Sequence, residues 1–200
     1  MADTWPDLTT APHLTHVHAE EDMKAIRLEA YGGPEQLKLD DGPDPAPGPG
    51  EALVQVSAAG INFMDIGVRT GKFWPDKAPP FTLGVEGAGR VLGLGEGVDK
   101  LRIGDRVAWF YVRGSYAQQI VAPADTLVPI PDVISDETAA SLMMQGLTAS
   151  HFVTEVYAIK PGDIALVHAA AGGVGLLLTQ MIKLRGGMVI GGVSSASKVE

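Results

Sequence analysis

Ala170, Gly172 and Gly175 stand at G/A-x-G-x-x-G spacing in the stretch Ile-Ala-Leu-Val-His-Ala-Ala-Ala-Gly-Gly-Val-Gly that runs from Ile164 to Gly175. Small residues at this spacing suit the cradling of a pyrophosphate. The first makes a tight turn, the second lets backbone approach the phosphates, and the third lets a helix pack close on a strand. The free amides and positive dipole end of a helix starting near Gly173 then face the anion, so Gly172, Gly173, Val174 and Gly175 are the expected phosphate binders. No Gly-Lys-Ser/Thr follows, which excludes a Walker-type loop. About twenty residues further on, a site for NAD places Asp or Glu against the ribose 2′-hydroxyl. This chain has Ser194, Ser195, Ser197 and Lys198 there. Hydroxyls and an ammonium suit a 2′-phosphate, so the pattern favours NADP(H) over NAD(H).

The elements that must hold this turn are legible around it. Pro161-Gly162-Asp163 launches a buried-strand run, and Val174, Leu177, Leu178, Met181 and Ile182 recur at helical spacing. Gly186-Gly187 stops that helix, and Met188-Val189-Ile190 reads as a second buried strand, closing a βαβ unit of about thirty residues.

Composition narrows the function classes. The 200 residues are 46 % hydrophobic, with 25 Gly and 14 Pro, as expected of one or two globular domains. A formal charge of −9 argues against a nucleic-acid partner. Asp3, Asp7, Glu20, Glu21 and Asp22 carry much of it on a segment, 1–22, that lacks hydrophobic periodicity and reads as a flexible tail. His13, His16 and His18 on that tail read as ordinary side chains, because a metal site needs supporting partners. Cysteine is absent, no apolar run reaches the roughly 18 residues of a membrane span, and the N-terminus is acidic, so the expectation is a cytoplasmic chain.

From Met23 onward the pattern is of short strands: Lys24–Ala30, Gln36–Leu39, Glu51–Ala59, Gly84–Val91, Asp105–Trp109 and Tyr116–Val121. These predict a small β-barrel. After Pro129-Ile130-Pro131 the period becomes helical. Ser135 is placed to cap a helix with Asp136 and Glu137 in its first turn and Ala139, Ala140, Leu142 and Met143 on its apolar face. A second helical stretch, Thr148–Ala158, leads into the βαβ unit, and the domain boundary is expected near Gln145-Gly146.

The order of these parts is similar to a known family. Ala59-Gly60-Ile61-Asn62-Phe63-Met64-Asp65, Gly84-Val85-Glu86-Gly87-Ala88-Gly89, Gly104-Asp105-Arg106-Val107, Gly146-Leu147-Thr148-Ala149 and Ala169–Gly175 together resemble the medium-chain dehydrogenase/reductase superfamily, in its zinc-independent quinone oxidoreductase (zeta-crystallin) branch. The resemblance implies a GroES-like β-barrel catalytic domain over 23–145 and, over 146–200, the first βαβ unit of an α/β Rossmann domain that binds NADPH. It implies no metal. Asn62 resembles the position where zinc-dependent relatives have a ligand Cys, and Val85 stands where their His would be.

By the same resemblance Asn62 lies at the active cleft, where its amide holds the nicotinamide carboxamide or the acceptor oxygen, or else fixes the loop. Asp65 either orients Asn62 or caps the following helix. Thr148 matches a position near the nicotinamide and is equally readable as a helix hydroxyl; Lys198 matches the family's 2′-phosphate lysine. Phe63, Phe73 and Trp74 would form an apolar acceptor pocket or ordinary core. Two tyrosines common in this branch are replaced by Gly67 and Phe73.

The function expected is an NADPH-dependent reduction of a small-molecule quinone. The alternatives are an enoyl or alkenal (C=C) reductase, or a non-catalytic NADPH-binding fragment. A doubly wound sheet needs more strands than this chain supplies, so the expectation is a C-terminally truncated family member, in which the family's homodimer is in doubt.

Overall fold

The computed structural model describes residues 23–74 and 76–199. In chain order the elements are β1 (Met23–Leu28), β2 (Leu37–Gly42), β3 (Glu51–Gly60), α1 (Phe63–Arg69), β4 (Phe81–Thr82), β5 (Glu86–Leu94), β6 (Arg106–Phe110), β7 (Gln119–Pro123), β8 (Val128–Pro129), α2 (Asp136–Ala140), α3 (Met143–His151), β9 (Ile164–Val167), α4 (Gly173–Leu184) and β10 (Met188–Gly191). No helix among the described residues is long and apolar enough to cross a membrane.

The barrel-like half is built from two antiparallel sheets, β7-β3-β5-β6-β8 and β2-β1-β4. Alternation along β3 turns Ala52 and Val54 into a core shared with Val91, Val107, Trp109, Ile120 and Ala122. The expected strand Tyr116–Val121 is divided between the two sheets. Tyr116 and Gln118 bond to β1, through Ile26 N to Tyr116 O at 2.7 Å and Gln118 N to Lys24 O at 2.9 Å, while regular pairing with β3 begins only at Gln119. The segment is a corner that closes one sheet on the other, which period-two alternation does not reveal.

Ser135 caps α2 as expected, its Oγ accepting from Thr138 N at 3.2 Å. Arg106 holds the same helix start to β6, donating from Nε (2.9 Å) and Nη2 (2.6 Å) to Asp136 Oδ1. The helix ends at Ala140, however, and Leu142 and Met143 belong to the start of α3. Thus α3 begins five residues before the expected Thr148, and the boundary placed at Gln145-Gly146 falls inside it. Gly146 does not break the helix: its N–H bonds Leu142 O at 2.7 Å, and its bare face meets Leu177 of α4. After His151 the chain widens into a π-turn over Phe152–Val156.

β9 and β10 pair in parallel, Met188 opposite Ile164 and Gly191 opposite Val167, with α4 as the crossover. Val167 packs with Ile182 and Val153, and Ala165 and Val189 line the same core. The opposite face of the strands, Ile164, Leu166, Met188 and Ile190, is exposed. Parallel sheets are ordinarily covered on both faces.

Candidate functional site

The loop leaving β3 and the start of β5 meet at one end of the large sheet, where Gly60 pairs with Glu86. Asn62 ends that loop as the N-cap of α1, and Asp65 is the third residue of the helix. Asp65 Oδ2 accepts the backbone N–H of Asn62 at 2.7 Å and the Tyr116 hydroxyl at 2.7 Å. Expected as a catalytic or capping residue, Asp65 is a cap here. It is buried, and its carboxylate ties the loop backbone at Asn62 to the Tyr116 hydroxyl.

The Asn62 side chain joins two other elements. Its Nδ2 donates to Glu86 Oε2 at 2.8 Å, and its Oδ1 accepts from Gln145 Nε2 of α3 at 2.8 Å. Glu86 Oε1 accepts the backbone N–H of Met144 at 2.6 Å. Glu86 is wholly buried, and burial pushes its carboxyl above the ordinary range even though Met144 and Asn62 donate to it. The Tyr116 phenol is pushed up in turn, by burial first and then by the Asp65 carboxylate that accepts its proton. Glu86, Gln145 and Tyr116 are the members of this cluster that were not singled out from sequence. Glu86 alone had a signal, a carboxylate inside the small and apolar run Leu83–Gly89.

The glycine turn has the predicted form with one shift. The left-handed residue is Ala169, at φ 51°, one position before Ala170. Ala170 N bonds Gly192 O at 3.0 Å, tying the turn to the end of β10. Gly172 is the N-cap of α4, and the first helical bond runs from Leu176 N to Gly172 O, so the amides of Gly173, Val174 and Gly175 have no intrahelical acceptor. At Gly175 a methyl group would stand 2.3 Å from Ala169 O and 2.7 Å from Ala170 Cα, a close approach that only glycine permits. Three free amides beside a crowded turn fit a pyrophosphate.

Lys198 and Val193 share a groove of about 630 Å³ with Ala170 and Ala171, so the lysine and the turn border one space. Lys198 Nζ lies 3.3 Å from Ser194 Oγ, and Ser195 Oγ lies 3.0 Å from Ser197 Oγ. This grouping fits a 2′-phosphate. A second cleft, of about 660 Å³, is lined by Gly60, Ile61, Glu86, Gln145 and Gly173, and it connects the Asn62 loop to the glycine turn.

Other expected site residues are placed as follows. Thr148 donates its hydroxyl to Met144 O at 2.6 Å, as a helix hydroxyl does. Phe63 and Ile61 flank Asn62 and are 89 % and 83 % exposed. Trp74 packs with Leu28, Val68, Phe81 and Leu83, and the Arg113 guanidinium lies 4.2 Å from its ring, so it serves the core of the small sheet. The Phe73 ring covers Gly67, where an added methyl would come within 2.2 Å of it. The two departures from the family pattern are therefore one packing solution. None of the three aromatics lines the cleft between Asn62 and Gly173. Among the described residues no group of three or more His, Cys, Asp or Glu could hold a metal ion, and His13, His16 and His18 lie outside them.

Comparison with known proteins gives these features a context. Residues 48–132 match the alcohol dehydrogenase GroES-like domain family. A quinone oxidoreductase of Pseudomonas aeruginosa is 42 % identical over 176 residues, a stretch that covers 88 % of this chain and 54 % of that protein. The crystal structure of a Pseudomonas syringae quinone oxidoreductase superposes with a TM-score of 0.84 at 43 % identity, over 88 % of this chain and 54 % of that one. An Escherichia coli quinone oxidoreductase solved in complex with NADPH gives 0.85 at 38 % identity, over the same shares of 88 % and 54 %. The chain thus spans about half the length of the relatives it matches.

Proposed function

We propose that this chain is a member of the medium-chain dehydrogenase/reductase superfamily, in its quinone oxidoreductase branch, and that it acts as an NADPH-dependent quinone reductase. One observation carries the reading. Glu86 and Gln145, which hold the Asn62 side chain, border one cleft with Gly173 of the glycine turn, and Gln145 sits against Gly173, its Cγ 3.0 Å from where a methyl on that glycine would stand.

In this reading the amides of Gly173, Val174 and Gly175 hold the pyrophosphate, and Lys198 with Ser194 and Ser195 holds the 2′-phosphate. NADPH, when bound, supplies the hydride. Asn62 has one amide proton left after its bond to Glu86, and this proton holds either the nicotinamide carboxamide or the acceptor oxygen. Glu86 and Gln145 keep that amide from rotating. Ile61, which lines the same cleft, offers exposed apolar surface suited to displacing water. Zinc does not fit the donor set: Asn62 Oδ1, its one atom able to ligate a metal, already accepts from Gln145, and Val85 has no donor atom.

The test is a fluorescence titration of the 200-residue chain with NADPH and NADH, followed by NADPH oxidation with 1,4-naphthoquinone or an α,β-unsaturated ketone. Tighter NADPH binding and faster turnover with the quinone are expected. Faster turnover with the enone would replace the proposal with a C=C reductase, and binding without any turnover would replace it with a cofactor-binding protein.

A further inference from the structure

The loop that follows β6 carries an aromatic residue in a costly conformation beside the site. Phe110 is the register partner of Glu86, which in turn pairs with Gly60, so Gly60, Glu86 and Phe110 lie side by side at the sheet end where Asn62 sits. The next residue, Tyr111, has φ 63°. A left-handed backbone is unfavourable for a bulky residue, and such positions persist only when their surroundings enforce them. Here the surroundings do. Trp109 Nε1 donates to Ser115 Oγ at 2.9 Å, Ser115 Oγ donates to Val112 O at 3.2 Å, and Gly114 N bonds Gly84 O at 2.9 Å, so the loop is fastened on both sides of Tyr111.

Packing does not explain the tyrosine. Its side chain is 59 % exposed, and its hydroxyl has no hydrogen-bond partner among the described residues. Its one ring neighbour among the described residues is Phe110, edge-on at 80° with centroids 5.9 Å apart, and Phe110 is itself partly exposed. Asn or Gly would occupy this backbone more cheaply. A strained, rigidly held, outward phenol with an aromatic edge beside it has the properties of a binding group and not of a core residue.

We propose that Tyr111 is an acceptor-binding residue: with Phe110 it forms an aromatic edge for a planar conjugated carbonyl compound, and its hydroxyl donates a hydrogen bond to that compound's oxygen. It thereby supplies a hydroxyl that Gly67 and Phe73 do not offer. The inference rests on the quinone-reductase reading of the same site.

The test compares wild type with Tyr111→Phe and Tyr111→Asn by equilibrium dialysis against 1,4-naphthoquinone, with NADPH titration and thermal melting in parallel. Tyr111→Phe loses one neutral hydrogen bond and is expected to weaken naphthoquinone binding about 3- to 10-fold at unchanged NADPH affinity. Tyr111→Asn relieves the backbone strain, so it should melt higher than wild type while binding naphthoquinone at least as weakly as Tyr111→Phe. If both variants bind naphthoquinone as wild type does, Tyr111 is only a loop residue and the proposal falls while the function stands. If wild type itself takes up no naphthoquinone, the proposal falls together with the quinone-reductase reading.

Discussion

Gln145 donates its side-chain amide to Asn62 Oδ1 at 2.8 Å across 83 residues of sequence, and with Glu86 ionised this direction is the only one the cluster allows. The backbone N–H of Met144 can only donate, so it takes one Glu86 oxygen as acceptor. The other Glu86 oxygen accepts Asn62 Nδ2, which turns Asn62 Oδ1 toward α3 and requires a donor there. A buried carboxylate thus sets the orientation of two amides in succession. The second amide rests on Gly173, the first residue of the helix behind the glycine turn.

Replacing Gln145 by Ala removes the donor and leaves Asn62 Oδ1 buried without a partner. An unsatisfied buried acceptor costs about 1–3 kcal/mol, and denaturant unfolding should register a loss of that size. Gln145→Glu is the sharper variant, since a carboxylate would face an oxygen. Its loss should exceed that of Gln145→Ala at neutral pH and shrink in acid as the new carboxyl protonates. A Gln145→Glu protein as stable as wild type at neutral pH would show that the amide does not hold Asn62.

Glu86 gives the protein a pH dependence with a defined sign. Its folded-state value is raised above 4.5, burial being the main cause. The folded chain therefore binds this proton more readily than the unfolded one. Its contribution to stability is complete below the ordinary carboxyl value and is lost as pH rises through the raised one. Glu86→Gln cannot ionise, so the melting temperature of the variant minus that of wild type should climb with pH. A difference that stays flat from about pH 4 to 8 would mean that the carboxyl titrates as if solvated.

The elements that follow from local chemistry were the readable ones. Ser135 as a cap, the helix start at Gly173 and the parallel strands at Ile164 and Met188 each rest on residues within a few positions of one another. What could not be read depends on contacts made far along the chain. Gly146 has the look of a break because glycine disfavours helix, yet packing against Leu177 of α4 outweighs that local cost. Tyr116 alternates like a strand residue, yet its hydroxyl is needed by Asp65, 51 positions earlier. Glu86 and Gln145 acquire their roles only when β5 and α3 meet, and no periodicity reports that meeting.

Gly175 and Gly172 should separate folding from binding. At Gly175 a methyl would meet backbone atoms at 2.3 and 2.7 Å, which cannot move without opening the turn. Gly175→Ala should destabilise the chain by about 1–3 kcal/mol, the usual cost of overpacking. At Gly172 the nearest atom, Ala169 O, is 3.1 Å away and φ is −86°, which any residue adopts. Gly172→Ala should therefore fold nearly as well as wild type while crowding the phosphate position, so NADPH affinity falls at little cost in melting temperature. Equal losses of stability in the two variants would show that the turn is built for packing alone.

On the proposed reading, cofactor choice depends on Lys198. It borders the same groove as Ala170 and Ala171, and its ammonium is 3.3 Å from Ser194 Oγ, so it is placed on the rim and not in a core. A charge-assisted bond to a phosphate is worth about 1.5–3 kcal/mol, or about 10- to 100-fold in affinity. Lys198→Ala should lower NADPH affinity by that factor and leave NADH affinity almost unchanged, because NADH has no 2′-phosphate to lose contact with. The preference should also fade with added salt in wild type, since an exposed ammonium is screened, and much less so in the variant. Should Lys198→Ala weaken both cofactors alike, the lysine supports the loop over Ala196–Lys198, and recognition of the 2′-phosphate must be sought in another residue of the groove, of which Lys183 on α4 carries the matching charge.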